Sequence, residues 1–179
     1  WLINLVENIL SISRIEDGRM NLSISTELVS EVFEEALRHT NRHSGQHTIT
    51  VQMDDDLLLA RMDAKLVVQV LINLVDNAIK YTPAGSHIVL SAAAQGESAV
   101  IRVSDDGSGI PDGAKEKVFE MFFTGENRIS DSRRSLGLGL ALCRTIIAAH
   151  GGTITLSDNK PHGCIFTFTL PLGEVSLHE

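Results

Sequence analysis

LINLVDNAIKYTP, residues 71–83, has a helical rhythm of apolar residues interrupted by two asparagines one turn apart, Asn73 and Asn77. Asparagine is a mediocre helix former because its side chain competes for nearby backbone hydrogen bonds. Its repeated use in an otherwise well-made helix needs a reason outside helix stability. At 100° per residue, Gln69, Asn73, Asn77, Lys80 and Tyr81 fall within an arc of roughly 120°. Val67, Leu71, Leu74, Val75, Ala78 and Ile79 occupy the opposite arc, the expected core stripe. The polar arc thus collects two carboxamides, an ammonium and a phenol. Carboxamide oxygens suit a hard cation such as Mg²⁺, which fills its remaining sites with phosphate and water. An adjacent lysine suits phosphate oxygens. A solvated surface face would look the same from this helix alone.

Two glycine-rich segments bear on that choice. VSDDGSGIP, residues 103–111, places Asp105, Gly107 and Gly109 directly after an apolar strand. A carboxylate there can accept a hydrogen bond from an exocyclic amine such as that of adenine. Neighbouring glycines let the backbone approach a flat ring; a plain glycine turn leaving a sheet is the alternative. SLGLGLALC, residues 135–143, puts Gly137 and Gly139 at the opening of an apolar helix. Free N–H groups and the positive end of the helix dipole make a phosphate seat, while close helix packing would also explain the small residues. No GxxxxGK[ST] occurs and neither segment completes GxGxxG. Protein-kinase signatures such as HRD and DFG are absent too.

Around these motifs the pattern reads as mixed helices and strands. Residues 1–17 form a helical stripe ending near Asp17–Gly18, followed by a short strand at MNLSIS (20–25) and an amphipathic helix over residues 27–40. HTITVQM (47–53) and LLLARMD (57–63) read as a hairpin turning at Asp54–Asp56. Asp63 is the expected N-cap of a helix over 64–81, closed by Pro83 and Gly85. Residues 87–107 give two strands around Gln95–Gly96. Residues 112–123 give a short helix and 136–150 a long one closed by Gly151–Gly152. TITLSDN (153–159) and GCIFTFTLPL (163–172) are the last strands. The order fits an α+β fold, a two-layer sandwich with helices on one face of a mixed sheet.

Composition bounds the rest. The 179 residues carry 43 % hydrophobic side chains, enough for a packed core, and a net charge of −8, which disfavours a broad nucleic-acid-binding surface. No run approaches the ~18 apolar residues of a membrane span. Cys143 and Cys164 form no CxxC, so neither a disulfide scaffold nor a zinc site is indicated, and a reducing, cytosolic setting is the default. The start, WLINLVEN, has no Met and no signal-peptide layout and is expected to belong to a longer chain.

Taken in order, NLVDNAIKY, DDGSGI, FEMFF and GLGLAL closely resemble the N, G1, F and G2 boxes of sensor histidine kinases. Their ATP-binding catalytic domain has the Bergerat-type (GHKL) nucleotide fold, also found in gyrase, Hsp90 and MutL. The resemblance covers roughly residues 21–172 and is nearest, in the wording around the boxes, to the potassium-responsive, osmosensitive-channel sensor kinases. Residues 1–20 resemble the end of the second helix of that family's dimerisation domain with its linker, leaving 21–179 as the catalytic domain.

The resemblance implies ATP and Mg²⁺ as cofactors and a set of roles. Asn77 would coordinate the metal bridging the phosphates, with Asn73 beside it on phosphate or on the metal shell. Lys80 would reach a phosphate and Tyr81 would lie against the adenine or ribose. Asp105 would accept from the adenine N6 amine, with Gly107 and Gly109 giving ring access and Ile110 completing that side. The amides around Gly137, Leu138, Gly139 and Leu140 would hold phosphate oxygens. Phe119, Phe122 and Phe123 would anchor a mobile ATP lid over about 124–136. Arg133 and Arg134 would either supply charge to the γ-phosphate or remain solvated in that lid. Ser135 stands where the family usually has glycine, Thr124 where many members have arginine, and Asp106 where asparagine is common.

The implied function is transfer of the ATP γ-phosphoryl group to a histidine of the dimerisation domain, for relay to a response-regulator aspartate. The intact protein is then expected to be homodimeric and anchored in the cell (inner) membrane, with this domain cytoplasmic. No histidine here is followed by Glu, a basic residue, Ser/Thr and Pro, so the fragment should bind Mg-ATP without labelling itself. His150, before Gly151–Gly152, reads as a helix-end residue completing the dipole. A degenerate nucleotide- or partner-binding module is the alternative, supported by Ser135 and Thr124. A gyrase- or Hsp90-type ATPase would need a catalytic Glu near Gln69.

Overall fold

The structure is a computed structural model that describes residues 2–16, 21–40, 46–120 and 139–174. Its chain runs α1 (Leu2–Glu16), β1 (Ser25–Leu28), α2 (Val29–Thr40), β2 (Thr48–Met53), β3 (Leu59–Met62), α3 (Ala64–Tyr81), β4 (His87–Gln95) and β5 (Ser98–Asp105). It continues through two 3₁₀ turns, Asp112–Ala114 and Lys117–Phe119, to α4 (Gly139–Ala149), β6 (Ile154–Asp158) and β7 (Cys164–Pro171). Five strands make the main sheet in the order β2-β4-β5-β7-β6. β2 lies parallel to β4, and every other pairing in it is antiparallel. Helices α3 and α4 pack on this sheet, α2 packs beside α3, and α1 packs beside α4. This is the expected α+β sandwich with a mixed sheet. No described helix is long and apolar enough to cross a membrane.

Strand alternation builds the core. In β5, Ala99, Ile101 and Val103 point inward; their ladder partners include Ala92, Leu90, Phe166, Phe168 and Leu170, all buried. α3 answers with Val67, Val70, Leu71, Leu74, Val75 and Ala78. Burying each of the larger of these contributes about 1.5–3 kcal/mol. Asp63 caps α3 as expected, its Oδ1 accepting from Leu66 N at 3.5 Å while Oδ2 accepts from Ser23 N at 3.1 Å.

Four local expectations are corrected. Residues 47–63 form no hairpin: β2 joins β4, and β3 pairs antiparallel with β1 in a separate two-stranded sheet. Asp55 accepts from Leu57 N and Leu58 N, turning the chain sideways so that Leu58, Ala60 and Met62 enter the core. Periodicity identified both strands but cannot specify a distant partner. The first strand is Ser25–Leu28, with residues 21–24 irregular, and α2 consequently starts at Val29. The segment after Pro111 makes two 3₁₀ turns instead of one helix; its expected end, residues 121–123, lies outside the described residues. Finally, Ile79 of the expected core stripe is only half-buried, while Val70, assigned to neither arc although it falls by angle among the polar residues, is buried where α4 covers that part of α3.

Candidate nucleotide site

α3 and α4 run antiparallel. Near one end of the pair, Gly139 faces Asn73: a Cβ built on that glycine would lie 3.8 Å from Asn73 Cγ. Further along, Cys143 Sγ donates to Val70 O at 3.8 Å. At the far end, His150 Nε2 accepts from Asp63 N at 3.0 Å. The α4 terminus is a glycine cap, with Gly152 N bonding Ile147 O, Gly151 N bonding Ala148 O, and Gly151 at φ +77°. His150 Nδ1 donates to Ile146 O at 2.7 Å, so this buried ring closes the helix and also ties it to the start of α3.

The Asn73 carboxamide is half-buried, yet its Nδ2 is fully enclosed and meets no hydrogen-bond acceptor among the described residues. A buried amide donor without a partner is costly, on the order of 1–3 kcal/mol. It lies about 4.0 Å from the Cβ position at Gly139, the first described residue of α4. Burial pushes the neighbouring Cys143 thiol up to about 12. Asn77 and Lys80 are half-buried on the same helix face, and the Lys80 ammonium stands over the Tyr81 ring, 5.4 Å from its centroid.

The second corner forms where β5 ends. Period-2 alternation continues the inward row Ala99, Ile101, Val103 to Asp105, so a carboxylate falls on the helix-covered face where an apolar side chain would be ordinary. Asp105 is 9 % exposed. Its Oδ1 accepts from Gly107 N at 2.9 Å and Cys164 N at 3.2 Å. Gly107 lies so near the end of α3 that an added Cβ would stand 2.7 Å from Thr82 Cγ2. Thr82 donates to Ala78 O at 2.6 Å and accepts from His47 Nε2 at 2.9 Å, which fixes its methyl against the glycine. Gly109 has φ +79°, a conformation that glycine adopts without strain. Asp106 turns away, taking His87 N at 2.8 Å and the His87 ring at 3.3 Å. Partial burial opposes its charge, but the His87 bonds outweigh this and hold the carboxyl below its ordinary range.

The polar face of α3 therefore connects two corners, Gly139 at Asn73 and Gly107 at Thr82, about 13 Å apart along the helix axis. Ile110 and Leu140 are partly buried and pack against the core beside these corners. Phe119 is buried, edge-on to Phe166 at 6.1 Å, with the Arg144 guanidinium 5.8 Å from its ring centroid. Phe122, Phe123, Thr124, Arg133, Arg134, Ser135, Gly137, Leu138 and the expected lid lie outside the described residues. Sequence reading missed His47, Thr82, Asn159, His162 and Gly163. Only the turn-forming run Asn159–Gly163 gave a local signal, and nothing local tied it to Asp105.

Residues 62–174 match the family model described as histidine kinase-, DNA gyrase B-, and HSP90-like ATPase. Sensor protein KdpD of Clostridium acetobutylicum is 40 % identical over 171 residues, covering 96 % of this chain and 19 % of that protein. This chain thus spans about a fifth of that relative's length. Full-length ShkA in complex with AMPPNP superimposes with a TM-score of 0.82 at 26 % identity, covering 97 % of this chain and 36 % of that one. Histidine kinase ThkA in complex with the response regulator protein TrrA gives 0.74 at 26 % identity, covering 96 % and 49 %. The matched span takes in both helices flanking the site and four of the five strands beneath them, and the chain belongs to the histidine kinase-, DNA gyrase B- and HSP90-like ATPase family.

Proposed function

We propose that this chain is the ATP-binding catalytic domain of a two-component sensor histidine kinase. One observation carries the site assignment: the enclosed Asn73 Nδ2, without an acceptor among the described residues, beside Gly139 at the described start of α4. An anion seated there would satisfy this donor near the positive end of the α4 dipole. At the other corner Asp105 has both described N–H bonds on Oδ1, so Oδ2 is available to an exocyclic amine. A base at Asp105 and phosphates at Gly139 place a nucleotide along the α3 face, with Tyr81 on the base or ribose side and Lys80 near it.

The donor chemistry fits Mg²⁺. Asn77 offers a carboxamide oxygen on the same face, and among the described residues no group of three or more His, Cys, Asp or Glu could hold an ion. An ion at Asn77 would therefore take most of its ligands from phosphate and water. When bound, Mg²⁺ neutralises charge on the phosphate oxygens. The chain's residues hold the base at Asp105, orient the phosphates through Asn73 and the α4 amides, and add positive charge from Lys80. Such positioning and neutralisation account for most of the acceleration in phosphoryl transfer. The β–γ bridging P–O bond breaks, an N–P bond forms on a histidine of a dimerisation domain, and ADP leaves. Relay to a response-regulator aspartate follows, within a homodimeric, membrane-anchored parent protein.

The test is calorimetric titration of an unhydrolysable ATP analogue with Mg²⁺ into the wild-type chain and Asn77→Ala. Metal-dependent binding should be present in the first and lost in the second, with the circular dichroism spectrum unchanged. Equal affinities would overturn the metal assignment. Transfer of phosphoryl to a supplied dimerisation domain bearing its acceptor histidine tests the kinase step, and a nucleotide-binding chain that never labels it would refute that step.

A further inference from the structure

The turn between β6 and β7 belongs to none of the segments read as nucleotide motifs, yet it contacts the Asp105–Gly109 corner at Asp105, Gly107 and Gly109. Asn159 Nδ2 donates to Asp105 O at 2.8 Å, and His162 Nδ1 donates to Gly107 O at 2.9 Å. Cys164 N reaches Asp105 Oδ1, and Gly163 O lies 3.4 Å from the Cβ position of Gly109. Gly163 itself sits at φ +115° with its Cα pressed so close that a Cβ would stand 2.0 Å from Asp105 O. Lys115 Nζ pairs with Asp158 at 3.0 Å and with Asp112, so the segment downstream is tied to the same turn. Asn159 is itself fixed, its N donating to Gly163 O and its Oδ1 accepting from Lys160 N.

These contacts exceed what closing a two-strand turn requires. The ladder between β6 and β7 runs from Ile154↔Phe168 to Asp158↔Cys164 and needs neither side chain. Asn159 and His162 instead spend their donors on carbonyls flanking the carboxylate assigned to the base. The Asp105 carbonyl is held by one, the Gly107 carbonyl by the other, and the peptide between them carries the direction in which Oδ2 points.

We infer that Asn159 and His162 are positioning residues for base recognition: the β6–β7 turn sets the orientation of the Asp105 carboxylate and thereby the preference for adenine over guanine. This rests on the reading of Asp105 as the base-binding group. Because His162 acts through an N–H on Nδ1, an asparagine at the position, whose Nδ2 occupies nearly the same place, keeps the bond, whereas alanine does not.

The experiment is titration of MgADP and MgGDP into the wild-type chain, Asn159→Ala, His162→Ala, His162→Asn and Asp105→Asn, with melting curves of each. His162→Ala and Asn159→Ala should each weaken ADP roughly 3- to 10-fold and narrow the ADP-over-GDP ratio, the scale of one lost hydrogen bond. His162→Asn should recover both. His162 is exposed, so its variants keep the fold and remain measurable if Asn159→Ala does not. Unchanged ADP affinity and ADP/GDP ratio in both alanine variants, with Asp105→Asn impaired, would overturn this inference alone. A loss that His162→Asn fails to restore would also overturn it. Unimpaired ADP binding by Asp105→Asn would instead bring down the underlying assignment of the base pocket.

Discussion

Two substitutions at Asp105 separate its part in the fold from the base-binding role proposed for it. Its Oδ1 accepts from Gly107 N at 2.9 Å and Cys164 N at 3.2 Å while the residue is 9 % exposed. Asp105→Ala leaves two buried N–H groups without an acceptor. At about 1–3 kcal/mol for each stranded donor, the loss is roughly 2–6 kcal/mol. For a chain of this size each kcal/mol lowers the melting temperature by about 2–4 °C, so the drop should be about 5–20 °C. Asp105→Asn keeps an oxygen at Oδ1 and both N–H bonds, so its melting temperature should stay within a few degrees of wild type. It replaces Oδ2 with an NH₂ that meets the amine of the base donor to donor. Losing one charge-assisted hydrogen bond, about 1.5–3 kcal/mol, weakens adenine nucleotide roughly 10- to 150-fold. Scanning calorimetry and isothermal titration with MgADP measure the two effects. Wild-type ADP affinity in Asp105→Asn, or wild-type melting in Asp105→Ala, would refute the reasoning.

Three further outcomes follow from the packing. Leu74, fully buried between α3 and the sheet, should lose about 2–5 kcal/mol on substitution by alanine, read as a shift in urea midpoint at constant slope. Gly163→Ala, with a clash against Asp105 O and φ +115°, should destabilise well beyond Gly96→Ala, whose φ is +61° but whose Cβ would meet nothing within 4 Å; similar urea midpoints would contradict the close approach. Cys143 has its thiol raised from 9.0 to about 12, so the folded state favours the protonated form. That contribution is complete below pH 9 and is lost as pH rises towards 12; between pH 8 and about 10 the wild type should lose on the order of 1 kcal/mol more than Cys143→Ala. Parallel losses in the two proteins would show that the thiol is not shielded.

What could be read from the sequence was whatever the chain writes locally. α3 was legible to the residue, because a side-chain cap at Asp63, a 3.6-residue rhythm and a stop at Pro83 all lie within one segment. β4 and β5 were legible because their partner is adjacent across Gln95–Gly96. β2 and β3 failed at the level of partner: β2 pairs with a strand 39 residues away in register, beyond α3, and nothing in HTITVQM encodes that. The site follows the same division. Asp105 and the glycines beside it announced themselves, whereas the contacts from Asn159 and His162 cross separations of 54 and 55 residues and exist only once β6 and β7 have folded back. Val70 shows the converse limit, since its angle places it among polar residues and only the arrival of α4 buries it.

The His150 ring joins the last turn of one helix to the first of the other, through Ile146 O on one side and Asp63 N on the other. Two rods riveted there, with only the long Cys143–Val70 contact further along, would open like a pair of compasses. Any spreading between them is smallest at the rivet and grows with distance, reaching its largest value where Gly139 meets Asn73. The end proposed to seat the phosphates is thus the one this rivet restrains least, while the ring that forms the rivet is itself buried.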